Sequence, residues 1–68
     1  MIQDEQTLRR TTAKNIAAYR KAHKDTQLDL ARKLNYSDKS VSKWERGEGL
    51  PDVYILAQIA QLYGITVS

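Results

Sequence analysis

Cysteine is absent from this sequence, proline and histidine occur once each, and glycine three times. Without cysteine there is no disulfide framework, no thiolate nucleophile and no Cys-type zinc site, so packing alone must hold the chain. The apolar residues nowhere form the run of about 18 that a membrane span requires. The opening Met1-Ile2-Gln3-Asp4-Glu5 lacks the charged-then-apolar order of a secretory signal, and the expected location is the cytoplasm. A chain of 68 residues makes one small domain at most. Such a domain hides only about 60% of the surface of its unfolded chain, which leaves no room for a large substrate cavity. Charge of one sign is also scarce: eleven Lys and Arg stand against eight Asp and Glu, a formal +3. That is a mild bias toward polyanions, shared with many small domains that never meet nucleic acid.

What is present is helical period throughout, with no alternating valine or threonine runs that suggest strands. The expected class is all-α, with a first helix over about Glu5 to His23. Its Leu8, Thr12, Ile16, Tyr19 and Arg20 recur at steps of three and four residues and turn inward. A short second helix opens at Thr26-Gln27-Leu28-Asp29, where the Thr hydroxyl caps a free amide and the acid sits in the positive first turn. Leu30, Ala31 and Leu34 face inward, and Asn35, tolerant of a left-handed backbone, stops it. Ser37 caps a third helix, Asp38 to Arg46, ended by Gly47. After the loop Glu48-Gly49-Leu50-Pro51, Asp52 caps a fourth, whose Val53, Leu56, Ile59, Ala60 and Tyr63 form an inward stripe before Gly64. Ile65-Thr66-Val67-Ser68 resembles the approach to a further helix that Thr66 could cap. The expectation is one domain over 1–68 that is the N-terminal part of a longer protein.

Two short helices separated by Asn35-Tyr36-Ser37 have the lengths of a helix-turn-helix, although any small bundle contains such pairs. The third helix is more telling. At roughly 100° per residue, Asp38, Ser42, Arg46, Lys39 and Lys43 fall within an arc of about 140°. Val41, Trp44 and Glu45 take the opposite side, with Ser40 at its edge. One face therefore anchors and the other presents the groups a base edge can use: Lys donates to guanine, Asp accepts from cytosine, and Ser does either. A solvated charged face is the bland alternative. Glu45 lies on the packing side, where an unpaired carboxylate costs several kcal/mol. Arg20, one turn beyond Ile16, is its expected partner in a half-buried bridge.

Thr26-Gln27, Leu30-Ala31-x-x-Leu34, Asn35-Tyr36-Ser37-x-x-x-Val41-Ser42-x-Trp44-Glu45-Arg46-Gly47, Leu50-Pro51 and Leu56-x-x-Ile59-Ala60-x-x-Tyr63-Gly64-Ile65 together resemble the phage repressor and Cro family, the XRE-type helix-turn-helix proteins. The likeness covers about Ile16 to Ile65. It implies a lambda repressor-like bundle of about four to five helices, dimers on palindromic double-stranded DNA operators, transcriptional regulation that is usually repression, and a place at the nucleoid. Position by position, Asp38, Lys39 and Lys43 match the base-reading sites, with Ser42 accessory. Gln27 matches a glutamine that touches phosphate and braces the first reading residue. Arg46 and Ser40 match positions near the DNA backbone, and Arg20 with Glu45 matches a structural pair. Asp38 stands where the family often has a neutral group, and it either reads cytosine or caps its own helix beside Ser37. Asp25 replaces the usual apolar residue before Thr-Gln, so a staple is missing. The fifth helix, through which many relatives dimerise, is essentially absent.

No acid-base pair or nucleophile constellation suggests an enzyme, and no cofactor is implied. His23 lacks a second ligand at metal spacing and is a solvated helix-end residue. Tyr19, Tyr36, Tyr54 and Tyr63 could offer a platform for single-stranded bases, but their spacing assigns Tyr19 and Tyr63 to the core and Tyr36 to the turn. Trp44 and Val41 are packing residues. Two alternatives remain open: an antitoxin of the same fold that grips a toxin through an exposed Leu28 or Leu50, and a protein-interaction bundle that never meets DNA.

Overall fold

The computed structural model describes residues 4–65, which form four helices and no strand: α1 (Glu5–Ala22), α2 (Gln27–Leu34), α3 (Asp38–Glu45) and α4 (Val53–Tyr63). The expected helix capped by Thr66 lies outside the described residues. Each helix starts where a short polar side chain accepts a free backbone amide. Asp4 accepts from Thr7, Thr26 from Asp29, Ser37 from Ser40 and Asp52 from Ile55. At α2 the Asp29 carboxylate also takes the Thr26 amide at 2.9 Å, completing a reciprocal capping box.

The four ends are alike as well. After each helix one residue enters the left-handed region: Lys24 (φ 59°), Asn35 (φ 62°), Gly47 (φ 74°) and Gly64 (φ 67°). The amide that follows bonds back five residues, Asp25 to Arg20, Tyr36 to Ala31, Glu48 to Lys43 and Ile65 to Ala60, at 2.8–3.1 Å. These are Schellman closures, which satisfy the last carbonyls and turn the chain sharply. Lys24 is the position where neither Gly nor Asn supplies the conformation. A β-carbon there costs roughly 1–2 kcal/mol in the folded state, partly offset by the greater freedom glycine would bring to the unfolded chain. Lys24→Gly is therefore expected to stabilise the domain by about 0.5–1 kcal/mol, read as a higher urea midpoint at unchanged slope.

The core gathers Ile16 from α1, Leu30, Ala31 and Leu34 from α2, Val41 and Trp44 from α3, and Ile55, Ile59 and Tyr63 from α4. Leu30 and Val41 are fully buried. Three residues expected inside are not. Leu8 is exposed because α1 has 18 residues against 8 in α2 and in α3, so its first turns overhang the helices it packs on. Val53 is 83% exposed, since it opens α4 immediately after the cap and the buried stripe runs instead through Ile55, Ile59 and Tyr63. Tyr19 is half exposed, along the wall of an open apolar groove of about 240 Å³ shared with Ile16, Leu56, Ile59 and Ile65. At the boundaries, His23 and Arg46 cap α1 and α3 rather than belonging to them. No helix among the described residues is long and apolar enough to cross a membrane.

Candidate nucleic-acid interface

α3 is held by its back. α3 packs on both α1 and α2; its Val41 is wholly buried, and Trp44, 7% exposed, stacks obliquely on Tyr36 of the turn with ring centroids 5.4 Å apart. Tyr36 itself remains half exposed at the turn. With these anchors fixed, Asp38, Lys39, Ser42, Lys43 and Arg46 lie on the outer side. Together with Gln27 of α2 they line one concavity of about 400 Å³. Asp38, Lys39 and Lys43 are exposed, whereas Ser40 and Ser42 are half-buried. Of the two roles open to Asp38, capping is filled by Ser37, whose hydroxyl accepts the Ser40 amide at 3.2 Å and also meets the Ser40 hydroxyl at 3.2 Å. The Asp38 carboxylate takes no part in that cap.

Behind the concavity runs a buried ion pair. Arg20 Nε donates to Glu45 Oε2 at 2.6 Å and Nη2 to Oε1 at 2.9 Å, a forked contact, with the two side chains 11% and 8% exposed. The third face of the guanidinium is used too, because Nη1 donates to the carbonyl of Asp25 at 2.8 Å. Burial pushes the Glu45 carboxyl up, but the Arg20 guanidinium and the Gln27 amide outweigh it and hold the carboxyl below its usual range. Gln27 donates to Glu45 Oε1 at 3.1 Å. In the DNA-free chain the Gln27 amide is thus tied to this buried carboxylate.

Asp25 also differs from expectation. In place of an apolar staple it makes a polar one, accepting from Lys33 Nζ at 2.8 Å and from the Tyr63 hydroxyl at 3.0 Å. The α1–α2 turn is thereby fastened to the end of α4. Burial and the neighbouring Asp25 carboxylate push the Tyr63 hydroxyl's pKa well above its usual value. His23 rests on the Tyr63 ring, centroids 4.6 Å apart, and its Nδ1 meets the Tyr19 carbonyl. Among the described residues no cluster of three metal-ligating side chains forms. Glu48 was not singled out by sequence, yet it engages Arg46 at 2.7 Å. The available signal was its place two residues after Arg46 across a left-handed Gly47.

A helix-turn-helix braced from behind and polar in front defines a class of DNA-binding modules. The model of a helix-turn-helix family matches residues 16–68, most of the chain. The chain belongs to this family, the XRE type related to the phage repressors and Cro, whose members are DNA-binding transcription regulators. No curated protein matches it.

Proposed function

We propose that this domain binds double-stranded DNA sequence-specifically as part of a transcriptional repressor, with α3 in the major groove. The observation that supports this best is the single concavity lined by Gln27, Asp38, Lys39, Ser42, Lys43 and Arg46 on the face of α3 opposite its Val41 and Trp44 anchors. In this reading Lys39 and Lys43 donate to guanine edges, Asp38 accepts from a cytosine amino group, and Ser42 is accessory. Gln27, Ser40 and Arg46 meet the sugar-phosphate backbone, setting register and affinity without reading sequence. Two copies on a palindromic operator would place their α3 helices in successive major grooves, roughly 34 Å apart.

Selection of bound sites from a random DNA pool gives the half-site and its symmetry together. On that site, Lys43→Ala is expected to lose about 1–3 kcal/mol of discrimination at one base pair, while Arg46→Ala weakens all sequences alike. Equal losses for Lys43→Ala on selected and random DNA would contradict this division. Binding must also fall steeply with salt, because phosphate contacts release counterions. A chain that bound no DNA at low salt would instead be an interaction bundle.

A further inference from the structure

Arg46, the cation at the far end of α3, already has an anion. Its Nε donates to Glu48 Oε2 at 2.7 Å and its Nη2 lies 3.4 Å from Oε1, while Nη1 donates to Ser42 Oγ at 2.6 Å. The pair is more than half exposed on both sides, 56% and 55%, and exposed pairs of this kind add little to stability. Its placement is nevertheless well determined. Gly47 turns left-handed, its amide bonds the Trp44 carbonyl at 3.1 Å, and the Glu48 amide bonds the Lys43 carbonyl at 3.1 Å. The helix closure itself thus carries the Glu48 carboxylate back over the end of α3. The stem of Lys43 follows the same loop, its Cε 3.7 Å from the position a Gly49 β-carbon would take. A carboxylate therefore sits on Arg46, one of the cations that line the concavity, where an approaching phosphate would bring like charge.

We propose that Glu48 is a built-in competitor of the DNA backbone at the end of α3: an internal anion that holds Arg46 in the free chain and must be displaced before a phosphate takes the guanidinium. This rests on the DNA reading above. On the correct site α3 is fully seated, and a phosphate presented squarely to the guanidinium fork replaces the carboxylate. On random sequence Arg46 takes a phosphate in the same way, since backbone contacts carry no sequence information. The device lowers affinity for every duplex on which Arg46 takes a phosphate, by the free energy of the pair that is broken.

The test measures binding of the full chain to the selected site and to random duplex across a salt series, for wild type, Glu48→Gln, Arg46→Ala and the double variant. Glu48→Gln is expected to tighten binding to both duplexes roughly 2- to 5-fold at about 50 mM salt, the worth of one exposed ion pair that no longer has to be broken. The log–log salt slope should be nearly unaltered on each, because the same phosphates are contacted. In the Arg46→Ala background the substitution should then do nothing. No tightening on either DNA, weakening on either, or an effect that persists without Arg46 would overturn the proposal while leaving the DNA reading intact. Failure of the wild type to bind either duplex would remove the DNA reading and this inference together.

Discussion

Glu45→Ala is expected to cost about 3–5 kcal/mol, because it leaves the Arg20 guanidinium buried without its carboxylate. A 68-residue domain holds roughly 3–10 kcal/mol in all, at about 0.05–0.15 kcal/mol per residue. The single substitution therefore consumes a large part of that margin. Replacing both partners with apolar residues of similar volume, Arg20→Met with Glu45→Leu, should restore most of the loss, since the desolvation of two charges disappears with their attraction. Urea unfolding of the two variants decides it: if the double variant is as unstable as the single, the pair is a net source of stability. The same contact sets a pH dependence. The folded Glu45 carboxyl lies below its ordinary value of about 4.3, so its contribution is complete above that pH and fades as acid protonates the folded carboxylate. Asp25, held down first by Lys33 and opposed by burial, acts in the same direction. A fall in melting temperature below about pH 4 should accordingly be shallower in the apolar double variant.

Trp44→Ala is the second large effect, about 3–5 kcal/mol for deleting a buried aromatic. The ring is 7% exposed and stacks on Tyr36, so the loss falls on α3 and on the turn before it. Its consequence reaches past stability. Val41 and Trp44 are the two buried residues of α3, and with one removed the orientation of Lys39 and Lys43 is no longer pinned. DNA affinity should drop even under conditions where circular dichroism shows the helices retained. Trp44→Phe, which keeps a ring in the site, should retain a larger share of both stability and binding. If Trp44→Ala unfolds at the wild-type urea midpoint, the ring is not a core anchor and the account of α3 fails.

Much of the local structure was legible beforehand. Thr26, Ser37 and Asp52 read as caps, and Asn35, Gly47 and Gly64 as helix ends, because these residue types act through their own backbone neighbourhood. Lys24 escaped notice because lysine carries no preference for a left-handed backbone; the tertiary path of the α1–α2 turn imposes it. Periodicity placed Leu30, Leu34, Ile59 and Tyr63 inside but misjudged Leu8, Tyr19 and Val53. A helical stripe states which side is apolar, not how far along the helix a neighbour extends to cover it.

By itself, then, the sequence determined the all-helical class, the caps and closures, and the division of α3 into an anchored and a polar side, since each follows from interactions spanning a single turn. Apart from the Arg20–Glu45 pair, which the helical positions of the two residues already suggested across 25 residues, tertiary structure alone decided the polar partners. Gln27 meets Glu45 across 18 residues and Tyr63 meets Asp25 across 38. Each of these polar groups had several possible mates by type, and only the packed arrangement of α1 to α4 brought one of them within hydrogen-bond distance, where burial makes a missing partner costly.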